Sequence, residues 1–235
     1  MKNYASLLDY KKSTKDWNYN PMSKSKDCEY VGRITDLNFK QVKGEIPEKK
    51  PEHAVSVYLE DFKNGKLIPN ELSPNSLGAT KLDHIRFGYN EHNSKYYQWI
   101  DSKDSLPDLF EKIKKLCGLE EGTAAIFKQD PGNTNPWHFD TYLSTLQKTD
   151  LKLEQNHLIR RYLIFLENWD WGHFIQVGNN VLANWKVGDI YTWKTGMYHL
   201  SCNAGIKPKW TCQITGKTTD KSIHKMNKKE FKIHK

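Results

Sequence analysis

The chain has 235 residues, enough to bury one sizeable core. Aromatic residues make up 12% of it, including eight tryptophans, which excludes an intrinsically disordered chain. A mean hydropathy of −0.80 and the lack of any apolar run near a membrane span exclude a transmembrane helix, and the polar N-terminus does not read as a signal peptide.

The net charge is +8, but much of it lies in residues 217–235, where seven lysines face Asp220 and Glu230. This segment reads as a basic, solvated tail; contact with nucleic acid through it is a less favoured reading. Four cysteines without C-x-x-C spacing read as free thiols in a reducing cytoplasm.

In chain order, residues 1–53 are polar and weakly periodic, so loops and short elements are expected. Val55 to Phe62 suits a strand or short helix, and Pro69 to Ala79 a loop. A helix follows, with Ser105 and Asp108 as a capping-box-like start and Pro107 in the first turn. Leu106, Leu109, Phe110, Ile113, Leu116 and Cys117 recur at helical spacing, and Gly118 closes the helix.

Beyond Gly122 the pattern turns to β. Thr123–Phe127, Leu158–Leu166, Phe174–Val177, Val181–Trp185, Ile190–Trp193, Tyr198–Cys202 and Lys209–Ile214 are short β-branched and aromatic runs. Turn signals such as Asp130-Pro131-Gly132-Asn133 and Gly178-Asn179-Asn180 separate them. The prediction is a mainly β fold, a jelly-roll core with flanking helices. Residues 1–216 form one domain, with 1–121 as a support region, 122–216 as the β core and 217–235 as the tail.

His138-Phe139-Asp140 carries the chemical signal. On a strand, residues i and i+2 project from one face, so both side chains can reach one metal ion. The loop with Pro131, Gly132 and Pro136 is expected to deliver His138 at a strand start. Two histidines and one carboxylate on one side of a metal are the ligand set of non-haem Fe(II) oxygenases. The third ligand is assigned to His199, on a predicted strand whose same face carries Ser201 and Asn203.

Ten residues later, Lys209 and Thr211 share a face that would line a polar cavity, a cation and a hydroxyl suited to a small dicarboxylate. Of the pair Arg160-Arg161 one must face inward, where it requires an anion. Arg160 with Tyr162 is the preferred inward set, leaving Arg161, Leu163 and Phe165 on the other face.

Together these residues resemble the 2-oxoglutarate/Fe(II)-dependent dioxygenase superfamily over residues 122–216. His138, Asp140, His199 and Lys209 match its H-x-D pair, distal histidine and basic residue. Lys209-Trp210-Thr211 is similar to the prolyl 4-hydroxylase branch, and the stretch from Arg160 to His199 resembles the aspartyl/asparaginyl β-hydroxylase branch. The resemblance implies a double-stranded β-helix core with Fe(II) on His138, Asp140 and His199. It also implies 2-oxoglutarate on Lys209, Thr211, Arg160 and Tyr162, and O₂ as co-substrate, with ascorbate as an optional accessory. The implied reaction hydroxylates a C–H bond, on a protein or peptide side chain, and releases succinate and CO₂. Competing readings are a nucleobase- or small-molecule-directed oxygenase, a non-catalytic cupin-like metal-binding module, and a zinc protein using Cys202 and Cys212.

Overall fold

In the computed structural model, residues 22, 24, 26–53, 72–73, 76–80, 93–140 and 142–234 are described. The expected element at Val55–Phe62 lies outside them. The strands are β1 (Cys28–Ile34), β2 (Glu52–His53), β3 (Leu72–Ser73), β4 (Ser76–Thr80), β5 (Lys95–Ile100), β6 (Leu119–Gln129) and β7 (Thr134–His138). They continue as β8 (Ile159–Phe165), β9 (His173–Val177), β10 (Asn180–Leu182), β11 (Asp189–Trp193), β12 (His199–Asn203), β13 (Lys209–Thr218) and β14 (Glu230–Phe231). The helices are α1 (Phe39–Val42), α2 (Asp108–Cys117) and α3 (Leu143–Lys148).

Eight strands form the large sheet, in the order β14-β1-β11-β8-β13-β6-β5-β2, and a small sheet has the order β10-β9-β12-β7. Within the run from β6 to β13, consecutive strands alternate between the sheets in a fixed pattern. The first, third, sixth and eighth lie in the large sheet, and the second, fourth, fifth and seventh in the small one. That winding is a double-stranded β-helix, so the predicted jelly-roll core is present.

Two apolar layers hold it together. Between the sheets, Leu163 and Phe165 of β8 pack against Ile175, Val177, Leu182, Trp185 and Trp193. On the outer face of the large sheet, Leu109, Phe110, Ile113 and Cys117 of α2 meet Ile126, Ile164, Ile190, Cys212 and Ile214. Helix α2 starts after Pro107, with no side-chain cap, so the capping box expected from Ser105 and Asp108 does not form. Gly118 ends it in the left-handed region (φ 63°), as expected.

Three expectations need correcting. Within Pro69–Ala79, the described residues form the paired strands β3 and β4 rather than a loop. The N-terminal half supplies strands to the core sheet, β1 pairing with β11 and β5 with β6, and so does more than brace it. Residues 217–234 are not a solvated tail. β13 runs on to Thr218, Ile223 and Phe231 are buried, and β14 pairs with β1. A Cβ on Gly118 would lie 2.3 Å from the Lys221 carbonyl oxygen, so this glycine also admits the returning chain.

Candidate metal centre

His138 is the last residue of β7 and His199 the first of β12, and the two are register partners. Between His199 and Ser201 the register slips, a bulge of the kind that re-aims side chains near active sites. The imidazole centroids lie 4.2 Å apart. Asp140 lies two residues past the end of β7, so the carboxylate joins the histidines from outside the strand and not, as expected, from the same strand face. The segment Thr134–His138 is itself a strand, so His138 ends a strand instead of starting one.

The ligand atoms of His138, Asp140 and His199 all lie within 4.8 Å of one another, and no other such cluster occurs among the described residues. Backbone geometry prepares His199. Its Nδ1 is 3.0 Å from the Met197 carbonyl oxygen, which makes that nitrogen the N–H donor and leaves the Nε2 lone pair facing Asp140 Oδ2 at 3.3 Å. Burial would by itself raise the Asp140 pKa. The Arg161 guanidinium outweighs it, so the carboxyl stays ionised, well below the usual carboxylate range. Two imidazoles and one ionised carboxylate suit Fe(II), so the donor set passes the test for the metal the sequence implied.

Lys209 opens β13 opposite Gln129 and is 3% exposed. Its Nζ donates to the carbonyl oxygens of Phe174 (3.2 Å) and Cys202 (2.7 Å) and to Ser201 Oγ (2.8 Å). All three acceptors are neutral. Burial therefore lowers the Lys209 pKa to about 7. Ser201 also donates to Gln129 Oε1 at 2.6 Å, which links β12, β6 and β13 across the barrel interior. Ser201 lies two residues past His199, about 7 Å along the strand. Thr211, 6% exposed, follows Lys209 on the same face of β13.

The arginine pair is placed the other way round from expectation. Tyr162 belongs to the outer apolar layer, where its hydroxyl hydrogen-bonds with His224 Nδ1. The Arg160 charge helps to lower the His224 pKa, to about 4, after burial. Arg160 and Tyr162 therefore lie across the sheet from the His-Asp-His cluster. Arg161 faces inward, contacting Asp140 through Nη1 and donating from Nε to Thr215 Oγ1 at 3.0 Å. Leu163 and Phe165 share its face and fill the space between the sheets. Because α2 covers the outer face, β8 is apolar on both sides and its alternation carries no sign of which face is inner.

Two tyrosines near Asp140 carried no signal in the sequence. The Tyr142 ring lies under the Arg161 guanidinium at 4.6 Å. Tyr96 on β5 has its hydroxyl pKa raised to about 12 by burial, then by the charges of Glu52 and Asp140. His173 is buried and bonded to the Lys207 carbonyl oxygen at 2.8 Å, in keeping with a structural role. All four cysteines are free thiols. No described helix is long and apolar enough to cross a membrane.

No protein-family model matches the chain, and no curated protein is similar to it. Among solved structures, a prolyl-4-hydroxylase from Pseudomonas putida is 12% identical, with 82% of this chain and 93% of that one covered and a TM-score of 0.40. A predicted oxalate decarboxylase from Thermotoga maritima is 12% identical over 53% of this chain and 82% of its own, with a TM-score of 0.32. A double-stranded β-helix protein from Klebsiella pneumoniae is 16% identical over 41% of this chain and 67% of its own, with a TM-score of 0.29. The fold rests on the strand order above, and these likenesses carry no argument about activity.

Proposed function

We propose that the protein is an Fe(II)- and 2-oxoglutarate-dependent dioxygenase that hydroxylates a C–H bond and releases succinate and CO₂. The observation that carries this reading is a His-Asp-His cluster in the same barrel interior as a buried lysine that contacts only neutral acceptors. Burying a cation without a counter-charge is costly. A dicarboxylate with one end on the metal would supply that charge with the other. Ser201 spans the gap, about 7 Å beyond His199 along the strand and hydrogen-bonded to Lys209.

His138, Asp140 and His199 would hold the ion, and Lys209 with Thr211 the distal carboxylate. Iron bound there would supply dioxygen activation, with two electrons coming from the oxidative decarboxylation of 2-oxoglutarate and two from the substrate C–H bond. The chain's own contribution is position: the Trp193 ring packs 5.1 Å from that of His199, and Val177 lies opposite His199 in the β9–β12 register. A protein or peptide side chain is the substrate class that the sequence resemblance implies.

Mixing the protein anaerobically with Fe(II) and 2-oxoglutarate should produce the weak visible charge-transfer band of a chelated 2-oxo acid. Asp140→Ala and His199→Ala should abolish it, along with succinate release. Lys209→Ala should keep metal binding and weaken 2-oxoglutarate by roughly a hundredfold. Metal binding without a band in the parent chain would favour the cupin-like binding module instead.

A further inference from the structure

Asp140 lies past the end of β7, outside the ladder of the small sheet, and a carboxylate there is free to rotate unless something fixes it. The group that contacts it comes from the other sheet. Arg161 of β8 reaches Asp140 Oδ2 with Nη1, and Oδ2 is the oxygen that faces His199 Nε2. The guanidinium is itself held on several sides. Nε donates to Thr215 Oγ1 on β13 at 3.0 Å, and the Tyr142 ring lies 4.6 Å from the guanidinium carbon. The Arg161 carbonyl oxygen accepts from Thr192 Oγ1 at 2.7 Å, which fixes the backbone from the β11 side.

The conformation of Tyr142 has a cost. It precedes α3 with φ 52° and ψ 21°, in the left-handed region, which a bulky side chain seldom adopts. Such strain persists where the surroundings over-determine it. Here the strained residue lies only two positions after Asp140, and its ring supports the arginine that contacts the carboxylate.

We propose that Arg161 is a positioning residue of the metal centre, fixing Asp140 so that Oδ2 is turned toward His199 Nε2. The proposal rests on reading His138, Asp140 and His199 as metal ligands. Carboxylates that bind metals are usually oriented by an outer hydrogen-bond partner, and losing that partner typically costs 10–100-fold in affinity. An inter-sheet ion pair that serves only stability predicts otherwise: its loss lowers the melting temperature and leaves metal affinity alone. Simple charge repulsion between guanidinium and cation predicts tighter binding once Arg161 is removed.

Mn(II) binding to the full chain, followed by the electron paramagnetic resonance of unbound Mn(II), separates these. Arg161→Leu should weaken Mn(II) by about 10–100-fold, and Arg161→Lys should recover part of the loss. Thr215→Val keeps the charge but releases Nε, so it should weaken binding less than Arg161→Leu. It also serves as the test if the leucine variant does not fold. With Co(II), the ligand-field spectrum of each folded variant should differ from that of the parent. Parent-like or tighter Mn(II) binding in Arg161→Leu, or in Thr215→Val should the former not fold, overturns the role given to Arg161. Failure of the parent to bind Mn(II), or binding undiminished in His199→Ala, overturns the metal reading itself, and this proposal with it.

Discussion

Lys209 illustrates how a single residue can be legible in type and not in state. Its place ten residues after His199 marked it as a basic group for a carboxylate, but only the fold shows that its contacts are all neutral. The consequence is a pH dependence of definite sign. The lysine titrates near 10.5 when solvated and about 7 when folded, burial being the cause. Between those values the unfolded chain binds the extra proton, so stability should rise as pH climbs from about 7 toward 10.5. Binding of a dicarboxylate should run the other way, tightest below about pH 7 and weakening above it as the lysine loses its proton. Thermal melts and 2-oxoglutarate titrations across this window, with Lys209→Met for comparison, would measure both trends. Identical pH profiles for parent and variant would refute the assignment. The His-Asp-His cluster was more legible, because H-x-D and a distal histidine are defined by residue type and spacing. Arg161 was not, because a strand buried on both faces gives no reason to prefer one parity over the other.

At the scale of elements, the misread segments share a cause, which is that pairing with distant strands decided their structure. Thr134–His138 contains an asparagine and a proline and has weak strand propensity, yet β12 recruits it as β7. The C-terminal segment looked like a solvated tail because lysines crowd it. Its anchors, Ile223 and Phe231, follow no helical or alternating period, since they insert singly under β1 and α2. The backbone is tied as well: Thr219 Oγ1 donates to the Gly118 carbonyl oxygen at 2.7 Å, and Ile233 N donates to Asp36 Oδ1 at 2.9 Å. Phe231→Ala should therefore cost about 3–5 kcal/mol, as expected for a buried aromatic. A solvated tail would tolerate the change within about 0.5 kcal/mol. Urea unfolding of the two chains decides between them, and near-equal midpoints would mean that β14 contributes little to the fold.

For the whole molecule, the β-helix winding was readable from many short strands in sequence, but the width of the large sheet was not. β1 and β5 come from the polar N-terminal half and β14 from the far end, so the sheet is completed by segments with little apolar periodicity. The candidate ligands, by contrast, concentrate in the small sheet and just past the end of β7, with Arg161 reaching across from the large one. A cation that binds this arrangement binds only the folded chain, because unfolding separates Asp140 from His199 by 59 positions. Metal binding must then stabilise the fold by linkage, about 2.7 kcal/mol at a hundredfold excess over the dissociation constant. For a chain of this size that corresponds to a rise in melting temperature of roughly 5–10 °C. Fe(II) under anaerobic conditions, or Mn(II), should produce that rise, and a chelator should reverse it. Asp140→Ala and His199→Ala should each lose it. 2-Oxoglutarate should add a second increment only when the divalent ion is present, and Lys209→Ala should remove that increment while sparing the first. A shift of equal size in parent and His199→Ala would mean that the stabilising ion sits elsewhere on the molecule, and the barrel interior would then have to be read without a metal.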